Sequence, residues 1–313
     1  MYMTNDNKSG SYKNLENQLN SILKNTNENS IRTRYRYLDS CKRFCEYLND
    51  TYSLQKFKNC SSKHLISYVA HMKEQGLSSA TIKTEVAGIR WYHSRSGSKN
   101  ILVDNSKLDL TPREYGKQNR AWLPEEIAGA IECAKFYGRM DFAFAVKFSY
   151  LFSTRLSEIC TLRINAIQNC FESGELKIKG KGGRVRYVPV TTNEQKVLLL
   201  EALEYSKENN LHKTDYLITD NRKGGVEAER KRLENFLYNH KDKFIVSDRQ
   251  KYLVGNKLRT ETLTMHGLRA TYAQNYYNYL KNERKDLSDN EIKYRTSEVL
   301  GHSRLEITRC YLS

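Results

Sequence analysis

Six side chains in the second half of the chain are of the types that handle a phosphodiester. They lie in five short stretches: Ser153–Glu158, Ile178–Gly183, Met265–Arg269, Leu300–Ser303 and Tyr311. The stretches supply arginine, lysine and histidine, which bind phosphate oxygens and move protons, and a tyrosine hydroxyl that can act as a nucleophile. Cationic side chains stabilise the charge that grows on a phosphodiester in its transition state. The ordered set predicts an enzyme that transfers DNA strands.

Two of these stretches repeat a spacing of three residues. Arg155 and Glu158 share one face of a helical turn, as do His266 and Arg269. In a catalytic interpretation each arginine holds a phosphate oxygen, Glu158 orients the surrounding cations, and His266 donates a hydrogen bond or relays a proton. The alternatives are an ordinary surface ion pair and a core histidine beside a surface arginine. The apolar run at 148–152 argues against a fully exposed first pair.

Lys181 lies in a glycine-rich turn between two segments in which polar and apolar residues alternate. The segments are Glu175–Lys179 and Arg184–Val188, and the pattern predicts a β-hairpin. At the tip, a long ammonium side chain could protonate a leaving oxygen. The alternative is an ordinary solvated turn, and a shifted register would give the role to Lys179 or Arg184.

Tyr311 follows His302 by nine residues. On one continuous helix nine residues turn by about 900° and rise about 13.5 Å, so the two side chains would lie on opposite faces. Both reach one phosphate only if the chain breaks near Gly301–Ser303, or if the tyrosine serves a neighbouring subunit. Ser303 is a suitable helix cap, which favours the break.

Composition restricts the partners and the compartment. Charged residues make up 28% of the 313 residues and the net charge is +16, which favours a polyanionic partner. The seven cysteines form no CxxC pair, which argues against a disulfide framework and against a metal site. No apolar run approaches the ~18 residues of a membrane span, and the start lacks the features of a signal peptide. We expect a cytoplasmic protein without membrane contact.

Hydrophobic periodicity divides the chain into four segments. Residues 1–28 are polar with little periodicity and are expected to be flexible. Residues 29–100 carry helical apolar stripes and predict a small all-helical domain. Residues 101–120 are polar, contain glycine and proline, and predict a linker before a catalytic domain over residues 121–313.

Four polar residues are candidates for contact with DNA. Lys83, Thr84 and Arg90 lie on the third predicted helix, opposite its apolar stripe. Arg184 follows the glycine-rich turn of the predicted hairpin. Their types suit phosphate contacts, which position a protein on a duplex.

The ordered motifs resemble those of the tyrosine recombinase, or phage-type integrase, family. The family's motifs match Arg155–Glu158, the hairpin lysine Lys181, His266–Arg269, Leu300–His302 and the nucleophile Tyr311. The resemblance covers about residues 20–313, and the earlier helices look like the family's core-binding, SAM-like domain. Two departures are Ser153, where the family usually has glycine, and the two residues after the tyrosine, where it usually continues into a segment that docks on the adjacent protomer.

The resemblance implies a mainly α-helical protein with a small antiparallel β-sheet, built as a two-domain C-shaped DNA clamp. It implies site-specific recombination through a covalent 3′-phosphotyrosyl link at Tyr311, which a free 5′-hydroxyl later reverses without any cofactor. The resemblance implies that Arg155, Arg269 and His302 stabilise the charge on the reacting phosphate. It also implies that His266 assists proton transfer with the tyrosine and that Lys181 protonates the departing 5′ oxygen.

The implied partner is double-stranded DNA with specific recombination sites, bound by a homotetramer near the nucleoid, with an accessory directionality factor. Because only two residues follow Tyr311, we expect the protomers to couple through the predicted helix 305–311 or through their N-terminal domains. A type IB topoisomerase would share the chemistry but rejoin the same strand, and a catalytically silent regulator would bind DNA without cutting it. The full set of six residues favours an enzyme, and the N-terminal helices favour recombination.

Overall fold

Mainly α-helical elements form two separate units along the chain. The computed structural model describes residues 10–112, 119–246, 249, 251–254, 257–260, 262–301, 308 and 311–312. The first unit spans Met1–Arg113 and the second Glu114–Ser313, and each has its own hydrophobic core. The described β-strands form small antiparallel hairpins, so the predicted fold class of helices with a small antiparallel sheet is confirmed. No helix within the described ranges is long and apolar enough to cross a membrane.

The described part of the first unit contains four α-helices: α1 Gly10–Lys24, α2 Ile31–Tyr52, α3 Ser62–Glu74 and α4 Ser79–His93. Ser30 and Ser78 cap α2 and α4, because each side chain accepts a hydrogen bond from the backbone N–H three residues later. On α2, Cys41, Phe44 and Leu48 are fully buried at spacings of three and four residues. The apolar stripe predicted from the sequence therefore faces the core.

The start of the chain differs from the expected flexible segment over residues 1–28. Residues 10–24 form α1, which packs on α2 and buries Tyr12, Leu15 and Leu19. The three buried residues lie at spacings of three and four, so a helical apolar stripe is present in this asparagine-rich segment although the sequence expectation did not use it. Packing against the neighbouring helix stabilises α1, which its own composition did not reveal. The part of the expectation that concerns residues 1–9 lies outside the described ranges.

The first unit also extends beyond the expected boundary at residue 100. Leu102 and Leu108 are buried in its core, and the backbone N–H of Val103 donates to the hydroxyl of Ser62 at 3.0 Å. The first part of the predicted linker 101–120 is therefore packed against the helices. The segment was predicted as a linker because it is mainly polar, but its two leucines complete the core of the first unit.

Within the described ranges, the second unit contains the helices α5 Pro124–Phe136, α6 Met140–Phe152, α7 Leu156–Ile159, α8 Ile164–Ser173, α9 Asn193–Glu208, α10 Gly225–His240, α11 Gly267–Glu283 and α12 Asp289–Leu300. Helix α6 is central, since eight of its 13 residues are buried and it packs against α5, α9, α10 and α11. Such a helix is apolar on all sides because protein surrounds it. Its C-terminal end carries the chain into the first predicted catalytic motif.

The predicted hairpin is present as strands β1 Glu175–Lys179 and β2 Val185–Pro189. The strands pair antiparallel, with Leu176 opposite Val188 and Ile178 opposite Arg186. Alternate residues of each strand are buried, as a sheet with one covered face requires. A second hairpin, β3 Lys251–Val254 with β4 Lys257–Thr260, lies in a segment whose sequence pattern predicted no particular element.

Candidate active site

A tight turn between α6 and α7 places the first predicted arginine. Helix α6 ends at Phe152, and the next residue, Ser153, has a left-handed backbone with φ 53° and ψ 33°. Arg155 then precedes α7 in an extended conformation. The carbonyl oxygen of Ser153 accepts hydrogen bonds from the guanidinium groups of Arg186, at 2.8 Å, and of Arg269. One turn therefore joins three arginines that are distant in sequence.

Glu158 is a buried carboxylate that holds two of these arginines. It accepts hydrogen bonds from the backbone N–H and Nη1 of Arg155 at 2.8 and 2.7 Å, and from Nη1 and Nη2 of Arg186 at 2.9 and 2.7 Å. Burial opposes ionisation of Glu158, but the hydrogen bonds and charge of Arg186, with those of Arg155, lower its pKa to about 2. The carboxylate is ionised at neutral pH and accepts hydrogen bonds from both guanidinium groups.

Arg269 lies beside Arg155 in the interior of the second unit. It is fully buried, and its Nη2 donates to the carbonyl oxygen of Leu300 at 2.8 Å, which Nη2 of Arg155 also approaches at 3.5 Å. Burial and the charge of Arg155 lower the pKa of Arg269 to about 10, which leaves it charged at neutral pH. Its Nε is buried without a hydrogen-bond partner among the described residues. We call Arg155 and Arg269 the arginine pair.

The predicted nucleophile lies against the predicted proton-transfer residue of the same chain. The hydroxyl of Tyr311 is 2.6 Å from Nε2 of His266, and their rings meet edge to face with centroids 5.4 Å apart. Burial, followed by the charges of Arg269 and Arg155, lowers the pKa of His266 to about 4. At neutral pH the imidazole is therefore uncharged, and its Nε2 can accept the phenolic proton.

The structure describes only part of Lys181 and no part of His302, the two other predicted catalytic residues. The backbone of Lys181 begins the turn between β1 and β2, while its side chain and the whole of His302 lie outside what the structure describes. A Cβ added to Gly180 would lie 2.8 Å from Oε1 of Glu158, so the hairpin turn starts directly against the buried carboxylate. Of the predicted helix 305–311, the structure describes only positions 308 and 311.

The four candidate DNA contacts lie in different settings. Lys83 donates to the carbonyl of Thr111 at 2.8 Å, and the Thr84 hydroxyl donates to the carbonyl of Ala80 within its own helix. Arg90 donates to residues 103 and 105, so its guanidinium binds the segment that follows α4. Arg184 is exposed at the hairpin turn. Contact of any of the four with DNA remains a prediction.

Arg186 also belongs to the candidate site, although no sequence motif predicted it. Only 7% of it is exposed, and its guanidinium makes hydrogen bonds to Glu158 and to the Ser153 carbonyl. The alternation of buried and exposed residues along β2 could have identified Arg186. It lies two residues before buried Val188 and therefore faces the same side of the strand. An arginine on the covered face of a strand requires an acceptor inside the protein.

A cavity of about 540 Å³ opens beside these residues. Arg155, His266 and Arg269 line it together with residues from α10 and from the segment before α11. Leu237, Leu263 and Met265 give it a buried apolar lining, while other residues of α10 contribute exposed polar groups.

Comparison with known proteins identifies the same two regions as the folded units. Residues 132–313 match the model of the phage integrase family, and residues 6–102 match that of the phage integrase N-terminal domain. The chain is 21% identical to the tyrosine recombinase XerD of Oceanobacillus iheyensis, with 90% of this chain and 87% of the relative covered. It is 23% identical to the tyrosine recombinase XerC of Roseiflexus castenholzii, over 90% and 83%.

The solved structures include a DNA-bound assembly whose subunit has a similar fold. A lambda integrase tetramer bound to a Holliday junction matches with a TM-score of 0.63 at 12% identity, covering 98% of this chain and 78% of that chain. At this identity the likeness concerns the fold alone.

Proposed function

The chain belongs to the phage integrase family of tyrosine recombinases, and we propose that it cuts and rejoins DNA strands at specific sites through Tyr311. The observation that carries this proposal is the Tyr311 hydroxyl, 2.6 Å from an uncharged His266 that lines the same cavity as the arginine pair. A nucleophile, a proton acceptor and two phosphate ligands thus meet in one place.

In the first step, the Tyr311 oxygen attacks the scissile phosphorus and its proton passes to Nε2 of His266. The bond from phosphorus to the 5′ oxygen breaks, and Lys181 supplies the proton that this oxygen takes up. The products are a 3′-phosphotyrosyl link and a free 5′-hydroxyl. A 5′-hydroxyl from a second duplex then attacks the phosphorus and gives its proton to Lys181. The bond from phosphorus to the Tyr311 oxygen breaks, and that oxygen takes its proton back from His266, which completes strand exchange.

The arginine pair and His302 stabilise the charge on the reacting phosphate. Arg269 is buried and charged, and its Nε has no partner within the described part of the chain, so it retains donor capacity for a phosphate oxygen. Glu158 and Arg186 keep Arg155 in place before the substrate arrives. Loss of a single such donor typically costs about 10²–10³-fold in rate.

The substrate we propose is double-stranded DNA with specific recombination sites, in keeping with the net charge of +16. Exchange between two duplexes cuts four strands, which requires four active sites and therefore a homotetramer on DNA. Because Tyr311 lies against His266 of its own chain, we propose that each protomer cuts with its own tyrosine. An accessory protein that sets direction, and a location at the nucleoid in the cytoplasm, belong to the same proposal.

Covalent capture on DNA of random sequence tests this function. A pool of half-site duplexes with random arms, nicked so that the 5′ product diffuses away, is incubated with the protein and denatured. We expect a DNA adduct on Tyr311, identified by peptide mass, whose recovered DNA shares a sequence. Tyr311→Phe should bind the same DNA and form no adduct. An adduct on the phenylalanine variant would refute Tyr311 as the nucleophile, and no adduct from the wild-type protein would refute the proposed function.

A further inference from the structure

The cavity beside the arginine pair is larger than a phosphate requires. Its volume of about 540 Å³ lies in the range of sites that enclose small organic ligands. Leu237, Leu263 and Met265 in its lining are each less than 10% exposed, so the cavity has an apolar interior. A phosphate held by guanidinium groups gives no reason for an apolar chamber next to it.

An exposed tyrosine and a lysine also line the cavity. Tyr238, near the end of α10, is 72% exposed. Lys241 lies beside it, with Nζ 5.1 Å from the centre of the Tyr238 ring and 3.1 Å from the hydroxyl of Thr262. An exposed aromatic ring next to an ammonium group is the combination that proteins use to stack a nucleobase beside its phosphate backbone.

The acidic residue in the lining, Glu234, does not oppose this charge. It is paired with Arg230 on the preceding turn of α10, with Nη1 and Oε1 2.6 Å apart. The cavity therefore combines an apolar interior, an exposed aromatic ring, an ammonium group and the arginine pair. Of the parts of a DNA strand, only a nucleoside attached to a phosphate matches all four features.

We propose that this cavity binds the nucleoside joined to the scissile phosphate, with Tyr238 stacked on its base and Lys241 beside the adjoining backbone. The proposal rests on the proposed function, because the arginine pair must hold the phosphate to which that nucleoside belongs. It assigns α10 a role in holding the strand while the tyrosine bond forms. Apolar walls and a stacking ring tolerate every base, so the contact should position the strand with little dependence on sequence.

A double-mutant cycle tests this contact: it removes the Tyr238 ring and the DNA base, first separately and then together. The probe is the nicked half-site duplex recovered by covalent capture, compared with versions that carry an abasic residue at the 3′ or the 5′ neighbour of the scissile phosphate. The rate of adduct formation is measured for wild-type protein and for Tyr238→Ala. On the intact duplex we expect a loss of about 5- to 150-fold for Tyr238→Ala, the range for removal of one base–aromatic stack.

The decisive result is the coupling between the two changes. If the cavity holds the base, an abasic residue at one neighbour should slow the wild-type protein by a similar factor, and Tyr238→Ala should then add little. Independent effects at both neighbours would overturn the proposal, as would a wild-type rate for Tyr238→Ala. Coupling at one neighbour only would also identify which nucleoside enters the cavity.

Matched variants separate stacking from other effects. Tyr238→Phe keeps the ring and should keep the rate, while Tyr294→Ala removes a 55% exposed tyrosine of α12 outside the cavity lining and should react as the wild type does. If Tyr294→Ala lost as much activity as Tyr238→Ala, the loss would be unspecific and the proposal wrong. Adduct formation by the wild-type protein without any coupling would refute only the cavity, whereas its absence would refute the proposed function as well.

Discussion

Replacement of Glu158 by glutamine should destabilise the second unit in a strongly pH-dependent way. The buried carboxylate accepts four hydrogen bonds from Arg155 and Arg186. A glutamine has nearly the same shape, but it has no charge and its NH₂ group faces donors that it cannot satisfy. The substitution leaves the charge of Arg186 buried without its carboxylate, which is the costly way to break a buried pair.

The magnitude follows from the pKa of Glu158. The ordinary value of 4.5 falls to about 2 in the folded protein, and 1.36 kcal/mol for each pH unit gives about 3 kcal/mol. Because the pKa is lower in the folded than in the unfolded chain, this stabilisation is fully present above pH 4.5. It is lost as the pH falls from 4.5 towards 2. Glu158→Gln should therefore be about 3 kcal/mol less stable than the wild type at pH 7, and the difference should shrink below pH 4.5.

Urea unfolding between pH 3 and 8 measures this difference. Trp122 is 2% exposed in the second unit, so its fluorescence in a Trp91→Phe background reports on that unit. Glu201→Gln is the control, because Glu201 makes an ion pair with Lys147 at the surface and should change stability by less than about 1 kcal/mol. A difference for Glu158→Gln that stayed constant with pH, or matched the control, would refute the account of the buried carboxylate.

Three shorter predictions concern the turn, the leaving group and the proton acceptor. Ser153→Gly should raise the free energy of unfolding by about 1 kcal/mol. The reason is that Ser153 has a φ of +53° and a buried hydroxyl without a partner among the described residues. A lower urea midpoint for unfolding of this variant would contradict the prediction. Lys181→Ala should lose cleavage of ordinary DNA and regain it on a substrate whose 5′ bridging oxygen is sulfur, which leaves without a proton; rescue of Lys179→Ala instead would show that the hairpin register was misassigned. Protonation of His266 should not limit adduct formation between pH 8 and 5, because its imidazole is uncharged there. Adduct formation should fall below about pH 4, where the imidazole becomes charged. The same decrease in His266→Gln would mean that another group causes it.

The sequence alone determined the local structure and the kinds of chemistry available. Apolar spacing of three and four residues marked the helices of both units, and alternation around a glycine-rich turn marked β1 and β2. These patterns are readable because they depend on neighbours within a few positions. The spacing of three also indicated contact between Arg155 and Glu158, which the structure forms at the start of α7, where extended Arg155 precedes the helix and Glu158 lies in its first turn.

Tertiary structure decided what the sequence left open. Helix α1 is stabilised because α2 covers its three buried side chains; their helical spacing is visible in the sequence, but the helix that covers them is not. Arg186 became part of the site because β2 turns it towards Glu158, 28 positions earlier in the chain. Tyr311 reaches His266 across 45 positions, which helical geometry from the preceding motif did not predict. Each of these contacts joins residues far apart in sequence, and such contacts form only when separate helices and strands pack around a common core.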